Sequence, residues 1–284
     1  MGTGAELTPA GADRVQPQST PQAVAEDRQY IYCITDSEEE KTLGPVGIGD
    51  RDDPVQMVCY RDIAAVVSPS PLEKYSISRE HTMAHQHVME TVMGEHTVLP
   101  VRFGTVAKSR NGVGVRERIR AEVLEQRYEE LKGLLLEMKD KTELGLKALW
   151  IQMDKIFQEI VEESGQIKRL KERIAAGHES LGHGDRLALG EMVKEALDAK
   201  RIKEETAILS VLKGAYVEHR RNKIMGDRMI TNSAFLVETD RTGAFDELVN
   251  WLSQTSEGRM HLKYVGPVPP CNFVELVIAL EGER

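Results

Sequence analysis

The chain has 284 residues, of which 40% are hydrophobic and 29% are charged, and its formal net charge at pH 7 is −9. This length and hydrophobic content suffice for one large domain or for two. The acidic balance, with both signs of charge mixed along the chain, argues against a dedicated nucleic-acid-binding protein, which would present a basic surface. No apolar run approaches the roughly 20 residues that span a bilayer, and no signal-peptide pattern is present, so the sequence predicts a cytoplasmic protein without a membrane span.

Residues 1–28 are rich in Gly, Pro, Gln, Ala and Thr and contain hardly any large apolar side chains. Such a segment cannot bury enough apolar surface to offset the entropy that is lost when a chain becomes ordered. The sequence therefore predicts a disordered tail over residues 1–28.

Short apolar segments follow the tail. Residues 30–34 (YIYCI) predict a strand, and the segment VQMVCYRDIAAVVS predicts two strands folded around Arg61 and Asp62. Residues 97–103 predict a further strand. These segments favour a β-sheet in the first half of the chain.

One amphipathic segment lies between these strands. Residues 79–95 carry His85, Val88, Met89 and Val92 at the i, i+3, i+4, i+7 spacing of a helix with one apolar face. The order strand, strand, strand, helix, strand predicts an α+β module over residues 29–108, in which helices cover one face of the sheet.

The second half is richer in helix. Residues 115–139 are dense in Glu, Arg and Leu and predict one or two long amphipathic helices. Residues 142–151 predict a strand, and helices are expected over 153–175 and 185–213, separated by the loop GHESLGHGD. The apolar side of the second of these helices is marked by Leu189, Val193, Ala196 and Leu197.

The remaining segments of the chain predict the order β, β, α, β, β. The segments are AYVEHRRN, MITNSAFLVE, the helical FDELVNWLSQ, HLKYVG and NFVELVIAL. We therefore expect a second α+β module over residues 109–284, which repeats the element order of the first module but not its sequence.

The candidates for metal and catalytic chemistry are weak. His81 and His85 stand one helical turn apart and could share a zinc ion, but no third ligand is evident, so a packed or hydrogen-bonded helix histidine is the favoured interpretation. No nucleophile, nucleotide-binding or catalytic motif is present, and no cofactor is predicted. The three cysteines, Cys33, Cys59 and Cys271, form no CxxC pair and are interpreted as small buried hydrophobic residues.

Two other segments are unusual. In HTVLPVRFGTV, residues 96–106, Arg102 ends an apolar run, and in NFVELVIAL Glu275 is the only charge. Arg102 is one conceivable partner for Glu275. A functional carboxylate with a perturbed pKa is the alternative role for Glu275. Pro267, Pro269 and Pro270 remove three backbone donors, so their segment is expected to be extended and to brace two layers, or to present a polyproline surface to a partner.

Together these segments resemble the gas vesicle protein family GvpF/GvpL. The resemblance rests on YIYCI, DIAAVVS, His85 in its helix, TVLPVRFGT, ELGLKALW, and NSAFLVE followed by KYVGPVPPCNFVEL, and it runs through nearly the whole chain after the tail. It implies an N-terminal ferredoxin-like module and a C-terminal module that combines a second ferredoxin-like sheet with coiled-coil-like helices.

The resemblance also implies a function and its partners. It implies a minor structural or accessory protein, not an enzyme, that is needed to form gas vesicles in the cytoplasm and binds the shell protein GvpA and other vesicle proteins. The residues of possible structural or interaction importance are Arg102, Phe103, Gly104, Pro267, Pro269, Pro270, Asn272, Phe273 and Glu275. Two alternatives stay open: a ligand-sensing regulator with a pocket between paired modules, and a metal-dependent enzyme that uses the helix of His81 and His85.

Overall fold

The structure, a computed structural model, describes residues 27–49, 53–176 and 183–280, with the side chain of His183 excepted. The predicted tail therefore lies outside the described residues as far as residue 26. Arg28, the last residue of that predicted tail, begins the first strand instead, because its backbone pairs with Lys108.

The first sheet contains six strands, and all the pairs between them are antiparallel. Their order is β2-β3-β4-β1-β5, with β6 also paired to β1. Its elements are β1 (Arg28–Thr35), β2 (Thr42–Gly44), β3 (Val55–Tyr60), β4 (Ile63–Pro69), α1 (Arg79–Met93), β5 (Val98–Pro100) and β6 (Val106–Lys108).

The predicted strands and helix of this half are confirmed, with changes of length at their ends. Ser78 caps α1 by accepting a hydrogen bond from the His81 N–H, and the four residues of the predicted apolar stripe are its buried residues. The strand expected over 97–103 is shorter, because β5 ends at Pro100. Beyond it, the Arg102 N–H donates to the Leu276 carbonyl and not to a strand of this sheet.

Both faces of the first sheet are covered, whereas the sequence predicted helices on one face only. Tyr30 and Tyr32 pack on the side of α1, and Ile31 and Ile34 pack on the opposite side. That opposite side is covered by α2 (Val115–Arg118), a π-helical segment (Ile119–Glu125) and α3 (Tyr128–Met138), which supply buried residues such as Leu131 and Leu135.

The second sheet is also antiparallel and has the order β10-β7-β9-β8. Its elements and helices are β7 (Lys141–Trp150), α4 (Met153–Glu163), α5 (Gly165–Ala175), α6 (His183–Leu212), β8 (Glu218–Arg221), β9 (Met229–Glu238), α7 (Thr242–Thr255) and β10 (Met260–Val268). A 3-10 turn (Thr239–Arg241) precedes α7. The predicted element order is confirmed as far as β10.

Two helix boundaries differ from the prediction. The helix expected over 153–175 is divided at Ser164, whose hydroxyl caps α5 by accepting from the Ile167 N–H. Residues 177–182 of the predicted loop over 177–185 lie outside the described residues. The last three residues of that loop belong to α6. Leu197 of the predicted apolar side is buried, and Leu189, Val193 and Ala196 pack against the same core.

The strand predicted over NFVELVIAL is wrong. The segment from Cys271 to Leu280 makes one isolated parallel bridge, between Leu276 and Val101, and otherwise runs without a strand partner. Val274, Leu276 and Leu280 are nevertheless buried, and Glu275, Val277 and Ala279 are exposed, so the predicted alternation survives there. We call Cys271–Leu280 the C-terminal segment.

The core of the first sheet includes residues from both halves of the sequence. Ala234 and Leu236 of β9 and Phe273 of the C-terminal segment pack with Ile31 and the helices over 115–138. The domain limits of 29–108 and 109–284 therefore stay a prediction, since these helices contact the first sheet. Among the described helices, none is long and apolar enough to cross a membrane.

Candidate functional site

The two unusual segments of the sequence meet at the edge of the first sheet. The Val101 N–H donates to the Tyr32 carbonyl at 3.1 Å, which places residues 98–103 beside β1. On the other side, the Leu276 N–H donates to the Pro100 carbonyl at 2.9 Å, and the Arg102 N–H donates to the Leu276 carbonyl at 3.0 Å. The C-terminal segment therefore covers the outer edge of β5.

A cleft of about 340 Å³ opens at this junction. We call it the motif cleft: it is bordered by α1, by residues 100–103 and by residues 268–275, and Glu143 of β7 also lines it. Much of its lining is apolar, with Met89, Val101, Phe103 and Pro269 among the residues. An apolar pocket with a few polar groups at its margin is the usual form of a binding site.

Arg102 and Glu275 form an ion pair across the motif cleft. The Arg102 Nη2 lies 3.3 Å from the Glu275 Oε2, and both side chains are 56% exposed. The structure thus brings together the two charges that the sequence singled out. Because water screens an exposed pair, this contact orients the two segments more than it stabilises the fold.

A buried aromatic cluster lies behind Arg102. The Phe103 ring contacts the His85 and Tyr30 rings, with centroids 5.6 and 6.4 Å apart. Gly104 has a φ of +82°, a conformation that favours glycine, and its N–H donates to the Tyr30 hydroxyl oxygen at 3.0 Å.

His85 is a hydrogen-bonded helix histidine. Its Nδ1 lies 2.9 Å from the Tyr30 hydroxyl, and its ring also bonds the Val101 carbonyl. Since Tyr30 already accepts from Gly104, its O–H is available to donate to Nδ1. Burial lowers the pKa of His85 to about 4, so the ring is neutral at neutral pH.

His81 takes a different position. Its Nδ1 lies 3.1 Å from the Ser76 carbonyl oxygen, and its ring contacts Tyr75. Within the described ranges, no three His, Cys, Asp or Glu side chains are grouped so as to hold a metal ion. The contacts of both histidines are those of structural side chains.

Glu143 ties the second sheet to the C-terminal segment. Its Oε2 accepts from the Asn272 N–H at 2.8 Å, and its Oε1 accepts from the Asn272 side-chain amide at 2.5 Å. Burial raises the pKa of Glu143, and the two bonds from Asn272 oppose that shift. The Asn272 carbonyl in turn accepts from Arg220, whose guanidinium lies 5.2 Å from the centre of the Phe273 ring.

The prolines lie where the chain leaves β10. Pro267 is exposed at the end of this edge strand, as expected of a residue without a backbone donor, whereas Pro269 and Pro270 are buried. Gly266 has a φ of +127°, and a Cβ there would lie 2.7 Å from Leu144 Cδ2 and 2.8 Å from the Glu143 carbonyl. Only glycine permits this close approach of the two backbones. Pro267 and Pro270 line a second cleft of about 530 Å³ beside the end of α1.

The prediction of buried cysteines holds for Cys33 but not for Cys271. Cys33 is buried and Cys59 is half-buried, but Cys271 is exposed. Cys271 lies between the buried Pro269 and Pro270 and the buried Phe273, and its side chain lines the motif cleft.

Sequence reasoning missed several residues of the cleft. Glu143 was not singled out, although it is the one acid in the apolar run TELGLKALW. Gln86 and Met89 line the cleft from α1. Strand alternation could have marked Glu143 as facing away from Leu144 and Leu146, but nothing local identifies Asn272 as its partner.

Comparison with known proteins gives the family. The family model described as "Gas vesicle synthesis protein GvpL/GvpF" matches residues 28–275, which is most of the chain and includes the segment of Arg102 and the second segment as far as Glu275. The chain belongs to the GvpL/GvpF family.

Curated relatives agree with this assignment. Gas vesicle protein F of Streptomyces sp. (strain CB03234) is 29% identical over 249 residues, which cover 87% of this chain and 99% of the relative. Gas vesicle protein F of Microcystis aeruginosa (strain PCC 7806) is 26% identical and covers 87% of this chain and 98% of its own length. Gas vesicle protein L1 of Halobacterium salinarum is 24% identical, covering 86% and 89% respectively.

Two solved structures share the fold. The crystal structure of GvpF from Anabaena sp. PCC7120 has a TM-score of 0.75 and 22% identity and covers 89% of this chain and 100% of its own. GvpF from Microcystis aeruginosa has a TM-score of 0.72 and 24% identity, with coverage of 88% and 99%. Membership of this GvpL/GvpF family gives the protein a role in gas vesicle formation and associates it with gas vesicles.

Proposed function

We propose that this protein is a non-enzymatic accessory protein that binds the shell protein GvpA, and other vesicle proteins, while gas vesicles are assembled. The observation that carries the proposal is the motif cleft, in which the two distinctive segments of the sequence form a partly apolar surface. A small and very hydrophobic shell subunit needs a partner that covers apolar surface before assembly, and an apolar cleft suits that need.

The polar groups of the motif cleft support binding more than catalysis. His85 is bonded to Tyr30 and Val101, Glu143 is bonded to Asn272, and Arg102 pairs with Glu275. A general acid or base must be free to exchange a proton with a substrate, and these bonds occupy the groups that could do so. The family relationship likewise favours neither a metal-dependent enzyme nor a ligand-sensing regulator.

The long helices contribute less to the proposed interface than their sequence suggested. Of the large apolar residues over 115–139 and 185–213, Leu136, Leu187 and Ile202 are more than half exposed, and most of the others pack inside the protein. We therefore assign the shell-protein contact to the motif cleft and retain the ferredoxin-like and coiled-coil-like descriptions of the two modules as part of the proposal.

The test is co-purification of GvpA with the tagged, full-length protein. Gln86→Trp, on the exposed margin of the cleft, should reduce the recovered GvpA about tenfold, because the added ring would fill the cleft mouth. His87→Trp is the matched control, since His87 is exposed on the same helix and does not line the cleft. Equal recovery of GvpA with both variants would contradict the proposal.

A deletion strain provides the second test. Loss of the gene should abolish intact vesicles, and the His87→Trp gene should restore them better than the Gln86→Trp gene does. Normal vesicles in a clean deletion strain, with no sister protein taking the place of this one, would refute the assembly role.

A further inference from the structure

The second sheet has one face that is only partly covered. Leu144 and Leu146 of β7 and Leu262 and Tyr264 of β10 pack on the side of the helices α4–α7. By strand alternation, the opposite face carries Glu143, Gly145, Lys147 and Leu149 of β7 and His261, Lys263 and Val265 of β10. The C-terminal segment covers the end of this face at Glu143, through Asn272 and Phe273. We call the rest, from Gly145 and Val265 to Leu149 and His261, the open face.

Two lysines stand directly opposite each other on the open face. Lys263 pairs in register with Lys147, and both side chains are exposed. The Ile151 N–H donates to the Arg259 carbonyl at 3.0 Å, so these two residues form a hydrogen-bonded pair. Because hydrogen-bonded and non-hydrogen-bonded pairs alternate along an antiparallel ladder, Lys147 and Lys263, four positions further along, also form a hydrogen-bonded pair, with Cα atoms about 5.5 Å apart. Like charges in directly opposite positions disfavour the folded sheet.

No carboxylate of the described residues offsets this pair of charges. Neither Lys147 nor Lys263 takes part in an ion pair or a side-chain hydrogen bond within the described ranges. Lys132 and Lys200, by contrast, pair with Asp62 and Glu159. The open face therefore places two cations directly opposite each other, without an ion-pair partner among the described residues, on a chain whose net charge is −9.

The surroundings of the pair add apolar surface. Arg220 of β8 lies in the same row of the face, opposite Ala234, but its guanidinium bonds Glu218 and the Asn272 carbonyl at the covered end. Val265 is 59% exposed beside Lys263, and Leu149 is half-buried. The open face thus combines positive charge with apolar contact area.

We propose that the open face binds an acidic amphipathic helix of a partner protein. Residues i and i+4 of a helix are about 6 Å apart along its axis, which matches the separation of the two lysines, so carboxylates at those positions reach both ammonium groups. Apolar side chains on the same side of the partner helix pack on Val265 and Leu149. This site is separate from the motif cleft and does not depend on GvpA binding.

The observations favour a protein helix over other anionic partners. A nucleic acid could pair its phosphates with the two lysines, but its backbone offers no apolar side chain to pack on Val265 and Leu149. An extended strand added to the free edge of β10 is disfavoured because Pro267 has no backbone donor and the register shifts between Val265 and Val268.

The test measures binding of a synthetic helical peptide to the full-length protein by fluorescence anisotropy at low salt. The peptide has about 18 residues, glutamates at i and i+4, and leucines on the same face. Exchanging both lysines (K147E/K263E) should weaken binding by at least about tenfold. The matched control K155E/K171E, at exposed lysines of α4 and α5, changes the net charge equally and should weaken binding less than about twofold.

A single exchange separates binding from folding. Lys263→Glu places opposite charges across the β7–β10 pair, so it should raise the melting temperature while it weakens peptide binding. K147E/K263E keeps a like-charged pair and should leave the melting temperature unchanged. A purely structural role for the lysines would not raise the melting temperature and weaken peptide binding in the same variant.

Four results would overturn the proposal. The first is an equal loss of peptide binding in the two double variants. The second and third are an affinity equal to that of the glutamate peptide for a peptide with Gln in place of Glu, or for a single-stranded DNA of the same charge. The fourth is a self-association of the chain that K147E/K263E abolishes. The last result would assign the open face to contacts between copies of this chain. Gln86→Trp alters the motif cleft and not the open face, so this variant should bind the peptide as tightly as the unchanged protein does. The two proposals can therefore fail independently.

Discussion

Burial determines the ionisation of His85. The ring sits between Tyr30, Tyr32 and Phe103, 6% exposed, and removal from water disfavours the imidazolium form. The pKa falls from 6.5 to about 4 because burial outweighs the bond to the Val101 carbonyl. His85 therefore acts as a neutral link between α1, β1 and the segment of Arg102.

The first prediction concerns the pH dependence that follows. The folded state binds fewer protons at His85 than the unfolded state does, so the contribution of His85 to stability should fall as pH drops from 6.5 towards about 4 and change no further below that. The loss should amount to about 3 kcal/mol in the free energy of unfolding. Urea unfolding of His85→Gln should lack this part of the pH dependence, whereas His87→Gln should retain it.

The second prediction concerns the ion pair of Arg102 and Glu275. Both groups are more than half exposed, so a double-mutant cycle with Arg102→Met and Glu275→Gln should give a coupling energy below about 1 kcal/mol. Added salt should reduce that coupling further. A coupling of several kcal/mol, insensitive to salt, would show that the pair is far less exposed to water than its geometry indicates.

At the scale of elements, a charge network fastens α4 and α6 to the start of β10. Arg259 bonds Glu159 of α4 at 2.8 and 3.0 Å and also bonds Glu204 of α6. Glu204 also accepts from the Trp150 indole at 2.7 Å, and Lys200 reaches Glu159 at 2.9 Å. One arginine at the start of an edge strand thus connects two helices that periodicity alone does not bring together.

The third prediction tests this network. The hydrogen bonds from Arg259 lower the pKa of Glu159 from 4.5 to about 2, so the ionised group stabilises the fold above its unfolded pKa, and that contribution is lost as pH falls through about 2. Arg259→Met should destabilise the protein by about 1–2 kcal/mol at neutral pH and by less at low pH. Arg228→Met, which removes a bond to the Trp150 carbonyl and no ion pair, should have a cost that does not shrink in acid.

At the scale of the whole molecule, the C-terminal segment joins the two sheets. It leaves β10 of the second sheet, bonds Glu143 through Asn272, and then lies along β5 of the first sheet. Phe273, Val274 and Leu276 enter a core that also contains Ala234 of β9 and the helices over 115–138. The relative position of the sheets, and with it the motif cleft, therefore depends on this segment.

The fourth prediction compares two neighbours in that segment. Leu276 is 4% exposed and Val277 is 50% exposed. Leu276→Ala should lower the free energy of unfolding by about 2–4 kcal/mol through loss of buried surface and the cavity that remains. Val277→Ala should change it by less than about 0.5 kcal/mol. Similar costs in chemical denaturation would mean that the segment is not held in the core.

The sequence by itself determined the elements whose pattern is local. The tight turn at Arg61 and Asp62, the apolar stripe of α1 and the strand MITNSAFLVE are all readable because side-chain periodicity is fixed within a few residues. The same local signals, joined to the two motifs, were sufficient for the family. They did not predict that helices 115–138 cover the second face of the first sheet, because an amphipathic helix does not specify what covers its apolar side.

Only the tertiary structure decided the candidate sites. Glu143 and Asn272 are 129 residues apart in the chain, and Arg102 and Glu275 are 173 apart. The pairing of Lys147 with Lys263 depends on the register of β7 and β10, which no pattern within either strand reveals. Each of these contacts exists because the packing of a shared core brings distant segments together, whereas sequence periodicity reports only which face of one element is apolar.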